Sequence, residues 1–130
     1  MFEYFWARLL VAVAVGTIIG LKTKALAART FTIICTGTTL LTIVSTEYYK
    51  VINYPWFGDP GRLSAQIVAA LGFIGSGLIW ISNKNEVRGL AAAASLWLTA
   101  ILGILIGSGL DIVNLIVIIL IVSAYFLWSK

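Results

Sequence analysis

Residues 59–110 read DPGRLSAQIVAALGFIGSGLIWISNKNEVRGLAAAASLWLTAILGILIGSGL, and the fold of the whole chain turns on this stretch. Asp59 followed by Pro60 predicts a helix start, since the carboxylate caps free N–H groups and proline fits the first turn. The expected helix covers about 60–81. Arg62 and Gln66 are four apart and share a face, while Ala65, Ala69, Gly72 and Ser76 form a second stripe of small side chains along which another helix can lie. After the polar turn SNKNE, Arg88 and Gly89 are expected to open a second helix. Its Ala92, Ser95, Thr99, Gly103 and Gly107 recur at roughly helical spacing, which predicts a tight hairpin of two small-faced helices.

The hairpin lies in a chain that cannot present an ordinary soluble surface: 61% of its 130 residues are hydrophobic and 11% charged, with a mean hydropathy of +1.04. The net charge of +4 comes from basic residues scattered between apolar runs, so it reads as a topology signal and not as a nucleic-acid patch. Cys35 is the single cysteine and there is no histidine, which excludes an intrachain disulfide and the usual zinc, haem and copper ligand sets. No nucleophile–base pair or phosphate loop is present, so no enzyme is expected. GFIGSG resembles a phosphate loop only loosely. Without a following lysine or a preceding strand, its Gly72, Gly75 and Gly77 read as helix packing.

Five apolar segments approach the roughly 20 residues that a spanning helix needs: 4–21, 30–48, 63–81, 90–108 and 112–128. A cleaved leader is the weaker reading of the first, because Arg8 interrupts it and its basic residues follow the apolar run. Lys22, Lys24, Arg29, Lys84, Arg88 and Lys130 fall on one side of the predicted bundle. Lys50, Arg8, Arg62 and the acids Glu3, Glu47, Asp59 and Asp111 fall on the other. The positive-inside rule then places the N-terminus outside and the C-terminus inside. The longest loop, TEYYKVINYPWFGDPG, is external on this reading, with Tyr48, Tyr49, Tyr54, Trp56 and Phe57 suited to an interfacial belt. Two hairpins, each with a glycine-bearing helix followed by a polar loop, read equally as a weak parallel repeat with the last helix added or as a chance match of compositions.

Other patterns admit two readings each. Gly16 with Gly20, and Gly103 with Gly107, are G-x-x-x-G pairs that serve packing within one subunit or between subunits. Thr32, Thr36, Thr39, Thr42 and Thr46 occupy one broad arc of the second segment, tolerated in lipid because threonine bonds back to its own helix, and they serve either as a polar path facing the bundle interior or for interhelical hydrogen bonding. Arg8, Arg62 and Arg88 sit at helix ends, where they snorkel to headgroups or form ion pairs, as Arg62 would with Asp59. The outer acids supply the oxygen chemistry that Mg2+ takes, but no compact motif, leaving Asp59 as a weak candidate ligand.

DPGRLSAQIVAALGFIGSGLIW followed by VRGLAAAASLWLTAILGILIGSGL resembles the signature hairpin of the MgtC/SapB membrane-protein family. ARTFTIICTGTTLLTIVS and RLLVAVAVGTIIGL resemble the helices that precede it, so the likeness covers one transmembrane domain over 1–130, without the family's soluble C-terminal domain. The chain departs from the family at Lys22, Thr23 and Lys24, where an acidic G-L-E-R-E is common, and at Phe31, where histidine often follows the Arg29–Thr30 pair. The resemblance implies an all-α, multi-pass protein of the bacterial inner membrane, tied to magnesium homeostasis and to low-magnesium growth or virulence. It further implies regulation through helix contacts with another membrane protein such as the ATP synthase, with Arg29, Thr30, Asp59, Arg62, Gln66, Arg88, Ser95 and Thr99 as signature, partner-facing residues. No cofactor is expected beyond Mg2+ as that weak candidate. A homodimer is expected, because so short a chain has few helices with which to cover its small-residue faces. The competing expectation is an oligomeric transporter or channel for Mg2+, H+ or a small solute, lined by the threonine face.

Overall fold

A computed structural model describes residues 4–23, 28–52, 59 and 61–128, apart from the side chains of 48, 49, 51, 52 and 128. The expectations resting on Glu3, Lys24, Lys130 and the aromatic belt of Tyr48, Tyr49, Tyr54, Trp56 and Phe57 therefore lie outside the described residues or side chains. The chain forms α1 (Phe5–Lys22), α2 (Ala28–Ile52), α3 (Gly61–Ser76), β1 (Trp80–Ile81), β2 (Val87–Arg88), α4 (Leu90–Ser108) and α5 (Ile112–Trp128). It is all-α apart from the two-stranded ribbon. α2 continues to Ile52, past the expected limit at 48, so the start of the long loop is helical.

α4 is the centre of the bundle. Its sequence is apolar on every side, as a helix enclosed by neighbours requires, and Leu96, Ala100, Leu102 and Ile106 are all but inaccessible. α1 and α2 form an antiparallel pair: Gly16 lies against Thr32 and Cys35, and Gly20 against Ala28. α2 and α4 run parallel, with Gly103 against Cys35 and Thr38, and Gly107 against Thr39 and Thr42. Ala12, Val15, Ile19, Phe31 and Cys35 complete the core with Ile67 and Leu71 of α3 and Ile118 of α5. Phe31, which occupies the position of the family's common histidine, is fully buried.

The expected helix over 60–81 ends at Ser76. Asp59 does begin it: its Oδ1 accepts the Gly61 N–H at 2.8 Å and its carbonyl accepts Arg62 N–H at 3.1 Å. At the other end, Gly75 and Gly77 weaken the helix, which finishes in tight turns from Gly77 N to Ile74 O and from Leu78 N to Gly75 O. β-Branched and aromatic residues follow and favour extended backbone. Trp80 then pairs with Arg88 and Ile81 with Val87 across the turn, in which Asn85 adopts φ 58. Arg88 is thus a strand residue, not the first residue of a helix.

Gly89 joins the ribbon to α4 at φ 85, where a side chain would run into the Leu78 carbonyl. The three residues after Ser108 turn the chain into α5, with Asn114 Nδ2 donating to Gly109 O at 3.0 Å.

α1, Ala28–Glu47 of α2, and α4 are long and apolar enough to cross a membrane. α5 is a shorter apolar helix, and the 16 residues of α3 extend only about 24 Å at 1.5 Å per residue, short of a hydrocarbon core of roughly 30 Å.

Candidate functional site

The small-residue hairpin expected between α3 and α4 is not the one that forms. Ala92, Thr99, Gly103 and Gly107 of α4 are buried, but the glycines receive α2, not α3. On α3 the face turned inward carries Ile67, Leu71 and Gly75, with Gly75 in ordinary contact with Ala93. Ala65, Ala69, Gly72 and Ser76 are all exposed, and a β-carbon added at Gly72 would meet nothing within 4 Å. The stripe expected inside the subunit is its outer surface.

The α2–α4 seam accounts for the threonine arc. A β-carbon on Gly107 would lie 2.6 Å from Thr42 Cβ and 2.7 Å from Thr39 O, so only glycine permits this approach. Thr39 Oγ1 donates to Cys35 O at 2.8 Å and reaches Gly103 O on α4 at 2.9 Å, while Thr42 and Thr46 bond to carbonyls one turn back. Thr32 bonds to Ala28 O and to Thr17 of α1. Thr36 Oγ1 is buried without a partner among the described residues. Thr32 therefore meets α1 and Thr39 and Thr42 meet α4, so among the described residues these three line no lumen. Gly16, Gly20, Gly103 and Gly107 are all internal contacts.

The signature polar residues do not converge. Arg62 and Gln66 are exposed at the start of α3, and among the described residues Arg62 has no ion pair, so the expected Asp59–Arg62 pair does not form. Arg88 stands beyond the other end of α3 and pairs with its ribbon neighbour Glu86 at 2.8 Å. Arg29 is exposed and Thr30 partly buried at the start of α2. Ser95 and Thr99 lie one turn apart on α4, Thr99 donating to Ser95 O at 2.7 Å. Asp59 Oδ1 accepts the Gly61 N–H, which is the capping role expected of it. Among the described residues no group of three or more acids or cysteines could hold a metal ion.

Two polar groupings were not assembled by sequence spacing. Tyr125 of α5 hydrogen-bonds with the Thr23 hydroxyl at the end of α1 and donates to Ser95 Oγ at 3.1 Å, tying three helices at one end of the bundle. Lys22 sits 5.1 Å from the Phe126 ring centre beside it. At the opposite end, Arg8 turns inward and its Nη1 donates to Gly107 O at 3.3 Å, while its Nε is buried without a partner among the described residues. That carbonyl is in the last turn of α4, where the helix dipole favours a cation. An arginine interrupting an apolar run was the available signal, but snorkelling gives the same signal.

The sequence matches the MgtC family profile over residues 9–130. The chain belongs to the MgtC family. This MgtC-family chain is 39% identical over 113 residues to YhiD of Escherichia coli K12, provisionally named a magnesium transporter, a match covering 83% of the chain and 52% of YhiD. It is 36% identical to protein MgtC of Salmonella typhimurium, covering 84% of the chain and 45% of that protein. It is 35% identical to protein SapB of Bacillus subtilis, covering 78% of the chain and 47% of SapB. The chain thus spans about half the length of the curated relatives it matches. No solved structure matches it. Family and apolar helices together make this a membrane protein.

Proposed function

We infer that this chain is a multi-pass inner-membrane regulator serving magnesium homeostasis, which acts by laying a helix against another membrane protein. The observation that carries this reading is the outward face of α3. Ala65, Ala69, Gly72 and Ser76 offer close helix approach on the family's signature hairpin, and among the described residues no helix of the subunit occupies it. The name of the Escherichia coli K12 relative YhiD supports the link to magnesium, and the ATP synthase is the partner that the family resemblance implies. A homodimer is the second assembly this face suits, since the G-x-x-x-G pairs of α1 and α4 are already used within the subunit. Five crossings, with the N-terminus outside, accord with the charge distribution. The short α3 is then accommodated by local thinning of the bilayer.

Gly72→Leu and Ala69→Leu test the reading, because both residues are exposed and leucine at Gly72 has room. Both variants should insert and unfold like the parent, yet fail to restore growth in low magnesium to a host lacking its own copy. Full rescue by both removes the α3 face from function. Magnesium or proton flux through the purified protein alone in liposomes would instead favour the channel reading.

A further inference from the structure

An open, mostly apolar groove of about 410 Å³ lies between α2 and α3, within the roughly 300–1,000 Å³ of sites that bury a small ligand. Ile33, Gly37 and Leu41 line one wall, and Gln66, Ala70 and Leu71 the other. A β-carbon on Gly37 would meet nothing within 4 Å, so this glycine makes room in the groove and serves no helix contact. From Ile33 to Leu41 the wall extends about 12 Å at 1.5 Å per residue, comparable to one leaflet, half of the roughly 30 Å hydrocarbon core.

One helical turn before Gln66, outside the groove lining itself, α3 carries a charge. Arg62 lies one turn before Gln66 on the same side of α3, at the helix end, exposed and without an ion pair among the described residues. Asp59, the nearest acid in sequence, has Oδ1 engaged by Gly61 N–H. Along α3 the order is therefore an exposed guanidinium with no ion pair among the described residues, then an amide side chain on the groove wall, then an apolar trough about as long as a leaflet is deep. This order of chemistry is that of a glycerophospholipid: phosphate, then ester, then acyl chain.

We propose that the α2–α3 groove is a phospholipid site, with the headgroup phosphate on Arg62, the ester region at Gln66 and one acyl chain along Gly37 and Ala70. The site is adjacent to the small-residue face of α3 but distinct from it, so an occupying lipid sets the surface beside which a partner helix lies. It rests on the reading of α2 and α3 as membrane-embedded. Insertion is measured separately, by resistance of each variant to alkaline extraction from membranes.

Native mass spectrometry of the detergent-released full chain, titrated with phosphatidylglycerol, diacylglycerol or soluble glycerol phosphate, tests the site. The parent should keep one phosphatidylglycerol under activation that strips bulk lipid, and retain diacylglycerol roughly tenfold less, the scale of one charge-assisted contact. Arg62→Gln should erase that difference. Gly37→Leu, which fills the groove with a better helix former, should abolish retention of both lipids, and Ala70→Leu should do so from the other wall. Undiminished lipid retention in both groove-filling variants overturns the proposal. So does an unchanged phosphatidylglycerol preference in Arg62→Gln, or displacement of the lipid by glycerol phosphate. A dimer that Gly37→Leu dissolves while lipid stays bound would assign the groove to a second copy instead.

Discussion

The Thr39 hydroxyl on α2 lies 2.9 Å from the Gly103 carbonyl on α4 and 2.8 Å from the Cys35 carbonyl of its own helix, sharing one proton between two helices. This contact exists only because glycine at 103 lets the backbones meet, and it marks the seam on which the bundle depends.

Stability should therefore respond oppositely to the same change at two glycines. Gly103→Ala places a β-carbon 2.6 Å from Cys35 O and should destabilise by about 1–3 kcal/mol, as overpacking does. Gly72→Ala meets open space and should be neutral or stabilising by about 0.5–1 kcal/mol through helix propensity. Thr39→Val should lose about 0.6 kcal/mol, up to roughly 1.7, as membrane interhelical hydrogen bonds do. The fully buried Cys35 supplies the probe, since a thiol-reactive dye reports its exposure on heating.

Arg8 should behave as a tether to the end of α4 and not as a headgroup anchor. Arg8→Met keeps much of the side-chain length but loses the bond to Gly107 O, and should destabilise by about 1–2 kcal/mol. Arg8→Lys should recover part of that through charge alone. If methionine matches the parent in the same thermal assay, the contact is incidental.

Tyr125→Phe removes one hydroxyl and leaves the ring. Because that hydroxyl joins α5 to both Thr23 and Ser95, its loss should cost about 0.5–1.5 kcal/mol and broaden the distance between spin labels at Leu127 and Ala91. An unchanged distance distribution would mean that α5 is held by its apolar contacts.

Whether α3 crosses the bilayer is settled by labelling at its two flanks. Lys50 and Lys84 are exposed, and between them lies α3 with its connecting segments. In a Cys35→Ser background, Lys50→Cys and Lys84→Cys should react with an impermeant reagent from opposite sides of the membrane. Reaction from the same side would make α3 re-entrant and remove the five-crossing topology.

Much of this architecture was legible in the sequence. Helix limits at 90–108 and 112–128 and the Asp59 start of α3 follow from local chemistry: a capping carboxylate, glycine where the backbone must turn, and long apolar runs. The end of α3 was not legible, because the apolar residues 77–81 suit a helix or a strand equally. The pairing of Trp80 with Arg88 and Ile81 with Val87 decided for the strand. Helical periodicity likewise established that Ala65, Ala69, Gly72 and Ser76 share a face, and that Gly103 and Gly107 do. It could not say which way either face turns, since a small-residue face accepts any helix that comes close. Only the tertiary packing chose α2 as the partner of α4, by matching the Thr38 and Thr42 side chains to the space above Gly103 and Gly107. Packing Ile67 and Leu71 into the core then left the small face of α3 turned outward.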